Sequence, residues 1–201
     1  MKRSFLNLLC AAALLGTATG CGSKDSVDHA NDVNDAKVES TAATTDLGGA
    51  EKKGLEYDAE FMAKAASGGL LEVQMGQEVI KRAVTPEAKE FAQKMVSDHE
   101  KSNAELKALA AKKNITVPAA MADEQNSVYK DVLEKKGVKM DQEYMKEMVK
   151  DHQEDVKEYT EAAAKATDPE IKAFATKNVP VLQMHLAMVT RMEPAVDARK
   201  Q

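Results

Sequence analysis

Between Tyr57 and Met192 apolar residues return every three or four positions, and no long stretch alternates apolar with polar. That spacing lines one face of an α-helix. Four stripes result. The first runs Phe61, Ala65, Gly69, Val73, Gly76, Ile80, and the second Phe91, Met95, Leu106, Leu109. The third runs Met145, Met148, Val149, Val156, Tyr159, and the fourth Ile171, Phe174, Val179, Leu182, Val189, Met192. Punctuation separates them. Thr85-Pro86-Glu87 and Asp168-Pro169-Glu170 each offer a cap, a proline at the first helical position and an acid in the first turn. Asn114 ends the second stripe, Gly137 closes the connection, and Asp141 reads as the cap of the third. Helices are therefore predicted over 57–83, 86–113, 141–166 and 169–192, with Pro180 kinking the last. A shorter helix is predicted over 123–136. Very short connections force antiparallel neighbours, so the expected fold is an all-α four-helix bundle over 57–193. The short extra helix lies in the crossover between helices 2 and 3.

The N-terminal region reads differently. Lys2 and Arg3 precede the apolar run Leu6–Leu15, and Gly16–Gly20 is rich in small residues, the layout of a signal peptide over 1–20. Ala18-Thr-Gly-Cys21 resembles a bacterial lipobox, which implies cleavage before Cys21 and lipidation of that cysteine. The alternative is an ordinary secretory signal followed by an isolated cysteine. The segment 21–56 contains no Phe, Tyr or Trp and is rich in Asp, Asn, Ser, Thr and Ala, so it is expected to be a disordered tether. His29 falls there and is expected to be solvated. Residues 194–201 read as a C-terminal tail.

Cys10 leaves with the signal, so Cys21 alone remains and no internal disulfide is expected. Removing Lys2 and Arg3 lowers the formal charge from −5 by two, to −7. That acidic balance, with no basic cluster, argues against nucleic acid as a partner. The expected partner is a membrane, through the lipid, on the periplasmic face of the outer membrane or another envelope membrane.

Polar residues interrupt the stripes. His99 follows Met95 by four, His152 follows Met148 by four, and His185 follows Leu182 by three. Glu72 falls eleven positions after Phe61, on the same face. Each long helix thus contributes one metal-capable side chain to its inward stripe. Buried polar groups need partners, which are either one another or a metal ion. His99 and His152 stand in a repeated phrase, FAQKMVSDHE and YMKEMVKDHQ, each preceded by an aspartate. Adjacent helical residues point about 100° apart, so Asp98 and Asp151 either reach a metal from the flank or accept the spare N–H of a histidine on a neighbouring helix. Met95, Met148, Met184 and Met188 near the histidines are expected to be core packing rather than ligands to a soft ion.

FMAKAASGGLLEVQMGQ, FAQKMVSDHEKSNAEL, YMKEMVKDHQEDV and IKAFATKNVPVLQMHLAM resemble a large family of exported bacterial proteins of unknown function, described as outer-membrane or membrane proteins and placed in the ferritin-like fold class. The resemblance spans about 57–190 and implies a ferritin-like bundle. Ferritin-like di-metal proteins use Glu-x-x-His ligands, whereas Val96, Val149 and Leu182 precede these histidines by three. That departure disfavours di-iron oxidoreductase chemistry. The leading expectation is a transition-metal site (Fe, Cu, Zn or Mn) of Glu72, His99, His152 and His185, with Asp98 and Asp151 as further or supporting ligands. The alternative is a metal-free envelope interaction module whose buried Asp–His network sets helix register. No catalytic serine or cysteine motif competes.

Overall fold

The computed structural model describes residues 25–200, all of whose regular structure is helical. The helices are α1 (Ser26–Thr45), α2 (Gly49–Arg82), α3 (Pro86–Lys112), α4 (Asp123–Glu134), α5 (Val138–Lys165) and α6 (Pro169–Asp197). The expected signal segment and Cys21 lie outside the described residues.

The four long helices form two hairpins, α2–α3 and α5–α6, which pack on each other chiefly through α3 and α6. One core joins Leu71 and Met75 of α2, Phe91 and Met95 of α3, Tyr144 and Met148 of α5, and Val189 and Met192 of α6. A second, nearer the other end, gathers Phe61, Leu106, Tyr159 and Phe174. Glu72, His99, His152 and His185 are buried along the same helices. The predicted stripe of α2 drifts in one place: Met75 and Val79 are fully buried, while Val73 and Ile80 are half-buried. A straight helix has 3.6 residues per turn, so a stripe spaced mostly by four from Phe61 to Ile80 slips sideways over its roughly five turns. Gly69 and Gly76 do permit close approach: a Cβ on Gly69 would strike the Asn103 side chain, and one on Gly76 would strike Val96. Gly68 faces open space.

Three boundaries are corrected. The expected tether is helical from Ser26 to Thr45, and Ala30, Asn34 and Val38 are buried. Polar docking holds α1. Asn34 donates from Nδ2 to the Thr116 carbonyl at 2.8 Å and accepts the Thr116 N–H at 2.7 Å. Lys37 reaches the Asn114 carbonyl and Thr116 Oγ1. A composition argument counts apolar area and misses such bonds. His29 is exposed, as expected. At the other end α6 runs on through Pro180 and Pro194 to Asp197; Val196 is buried, and Arg199 pairs with Glu87 at 2.7 Å, so the expected tail is largely helix tied down at these two points.

The third correction concerns Asp141, which does not cap α5. It lies inside the first turn, fully buried, and its Oδ2 accepts the N–H groups of Val84 at 3.0 Å and Thr85 at 2.7 Å. Asp58 does the same for the other hairpin, accepting from Thr167 N at 2.9 Å, Thr167 Oγ1 at 2.7 Å and Asp168 N at 2.7 Å. Asp58-Ala-Glu-Phe-Met62 and Asp141-Gln-Glu-Tyr-Met145 stand 83 positions apart, as do Pro86-Glu-Ala-Lys-Glu-Phe-Ala92 and Pro169-Glu-Ile-Lys-Ala-Phe-Ala175. The two hairpins are therefore sequence repeats of each other, and each pins the other's turn.

Candidate metal centre

Glu72, His99, His152 and His185 are each brought to the middle of the helix packing by an inward stripe, one residue per long helix. The three imidazoles stand with ring centroids 5.2 to 5.8 Å apart. Each offers a ring nitrogen, and the three nitrogens lie within 4.8 Å of one another. Glu72, Asp151 and His152 form a second such group.

The hydrogen bonds decide which nitrogens are free. His152 Nδ1 lies 2.9 Å from the Met148 carbonyl, which can only accept, so Nδ1 carries the proton and Nε2 the lone pair. His185 Nε2 lies 2.9 Å from Asp98 Oδ2 and donates to it, which leaves His185 Nδ1 as the lone pair. That nitrogen faces His99 Nε2 at 3.3 Å. His99 Nδ1 is 2.5 Å from Glu72 Oε2. Three imidazoles whose outer nitrogens are held by a carboxylate or a carbonyl, and whose inner nitrogens converge, is the arrangement that orients histidine ligands.

Burial governs the protonation. It pushes His99 and His185 down to about 4, and drives His152 well below the usual imidazole range. It raises Glu72 well above the carboxylate range, so the metal-free centre holds Glu72 as the acid. One proton order then satisfies the chain: Glu72 donates to His99, His99 to His185, and His185 to Asp98. Burial pulls Asp98 upward, but hydrogen bonds from Lys94 and His185 outweigh it and keep this carboxylate low. The chain leaves atoms without partners. His152 Nε2, Glu72 Oε1 and Asp151 Oδ2 are buried and make no hydrogen bond. His152 Nε2 and Glu72 Oε1 lie 3.4 Å apart.

All six side chains singled out from sequence meet here, but the two aspartates differ. Asp98 accepts the spare N–H of His185 from the neighbouring helix, one of the two arrangements expected. Asp151 stands at the edge, 3.8 Å from His152 Nδ1, and burial raises its carboxyl well above the ordinary range. Sequence reasoning missed Asp155, also raised by burial and by Asp151, and buried Tyr144, whose hydroxyl has no partner. The 83-residue repeat would have found Asp155, since it stands opposite Glu72 in that register. Met148 serves the centre through its carbonyl.

A family profile described as a domain of unknown function (DUF4142) matches residues 29–192. Neither a curated protein nor a solved structure matches the chain.

Proposed function

The chain belongs to that family, DUF4142, and from its own side chains we infer that it is a metal-binding helical protein of the cell envelope. The ligands would be His99 Nε2, His152 Nε2 and His185 Nδ1, with Glu72 Oε1 as the fourth donor and Asp98 holding His185 in orientation. The observation that carries this reading is His152 Nε2, a fully buried lone pair that makes no hydrogen bond and stands 3.4 Å from the equally unbonded Glu72 Oε1. A metal-free network has no use for it, and leaving it bare costs about 1–3 kcal/mol. Imidazole donors suit Zn, Cu and Fe, and a three-histidine site with one carboxylate or open position is a familiar Zn arrangement. The fold is read as a ferritin-like four-helix bundle. The anchor is read as a lipid on Cys21, and no helix among the described residues is long and apolar enough to cross a membrane.

The test is to purify the protein without a histidine tag and measure bound metal and metal-induced melting shifts. Stoichiometric metal and a rise in melting temperature that vanishes in His152→Ala support the reading. Absence of both for Fe, Cu, Zn and Mn overturns it. The unbroken chain from Glu72 to Asp98 favours a second reading, a metal-free envelope module with a register-setting polar core. That reading requires chelators to leave stability unchanged while His99→Ala lowers it.

A further inference from the structure

Asp151 faces two ways. One of its oxygens lies within 4.8 Å of ligand atoms of Glu72 and His152. The same residue lines a cavity of about 380 Å³ that opens between α1, α2, α4 and α5. Asp25, Asp28 and Glu124 edge this cavity on one side, and Glu154, Asp155 and Glu158 on the other. Lys64 is the cation among the lining residues, and it is already paired with Glu60 at 2.7 Å. The wall near Gly68 carries no side chain, and a Cβ there would meet nothing. Behind Asp151 the buried lone pairs of Glu72 Oε1 and His152 Nε2 stand without partners.

We propose that this acidic cavity is the loading path of the centre, gathering a hydrated divalent cation from solvent and passing it through Asp151 to Glu72 and His152. The proposal rests on the metal-centre reading above and adds its route. Electrostatics supply the cause. A cleft walled by one sign of charge raises the local concentration of the opposite ion and speeds its capture by roughly 10- to 1,000-fold. Asp151 supplies the exchange step, because a hard carboxylate accepts a partly hydrated cation before imidazoles replace its waters.

The experiment follows Co2+ uptake by the metal-free full chain in stopped flow, reading the visible absorption of the bound ion. The variant Asp28→Asn/Glu154→Gln/Glu158→Gln removes three acidic wall groups and no proposed ligand. It should load about tenfold more slowly and reach the same final spectrum and stoichiometry. The deficit should shrink towards none as NaCl rises from roughly 0.02 to 1 M. Glu124→Gln alone should slow loading by a smaller factor. A control variant, Glu78→Gln/Glu100→Gln/Glu105→Gln, changes net charge equally away from the cavity and should load like wild type. Equal loading rates for wild type and the wall variant, or an equal slowing in the control, overturn the path. A wild-type protein that binds no Co2+ overturns the centre itself, and the path with it.

Discussion

At the scale of single residues, the proton on Glu72 sets the chemistry of the centre. With a metal bound, Glu72 must ionise and His99 must shift its proton from Nε2 to Nδ1 to free the inner nitrogen. Metal uptake should therefore release about one proton per ion near neutral pH. Titration calorimetry in buffers of different ionisation enthalpy measures that number, and Glu72→Gln should bring it to about zero. The metal-free protein should respond to pH through its histidines and its buried carboxyls, with opposite signs. His99 and His185 titrate near 4 in the fold, below the 6.5 of a free imidazole. Their contribution is whole above pH 6.5 and drains away as pH falls towards 4. Glu72 has the opposite sign: its contribution is whole below the ordinary 4.5 and is lost as pH rises through its raised folded value. On acidification from 6.5 to 4 the metal-free wild type should thus lose more melting temperature than His185→Gln, which lacks one of the two histidine contributions. Glu72→Gln should flatten the loss on the alkaline side.

At the scale of elements, caps and stripes were readable because they act within a few residues. Thr85-Pro86 and Asp168-Pro169 do begin α3 and α6, although only the Asp168 side chain caps and Thr85 Oγ1 makes no hydrogen bond; Asn114 does end the second long helix, in the left-handed region at φ 56°. The four inward polar residues were legible for the same reason, since they share a face with their stripe. What the chain hid were bonds between distant elements. Asp141 was read locally as a cap, whereas its partners are the turn at Val84 and Thr85. Asp141→Ala should therefore destabilise by about 3 kcal/mol in urea unfolding, because two backbone N–H groups lose a buried charged acceptor. α1 was hidden likewise, since Asn34 spends both ends of its amide on Thr116. Asn34→Ala should cost about 2 kcal/mol or less and raise amide exchange in α1 selectively, read by hydrogen exchange.

At the scale of the whole molecule, helical class and the packing of four long helices followed from periodicity. The relation between the halves did not, because the more conspicuous Asp-His phrases, 53 positions apart, are out of register with it. Those phrases lie on α3 and α5, which are not equivalent helices. The repeat at 83 positions matches α2 with α5 and α3 with α6, and it aligns Glu72 with Asp155. The histidines break that symmetry: His99 stands opposite Leu182 and His185 opposite Ser102. A duplicated scaffold thus carries one unduplicated histidine cluster, with the spare carboxylate of the second half lining the cavity instead of the core.

The reciprocal turns have a consequence for how the chain assembles. The N–H groups at Thr85 and Thr167 find their carboxylates 56 and 109 residues away in sequence. Neither hairpin can complete its own bend alone, although both are otherwise local structures that form quickly. The two halves therefore finish folding together, each as the template for the other. A chain cut in the crossover should yield fragments that are incompletely ordered apart and regain native hydrogen-exchange protection at both bends when mixed.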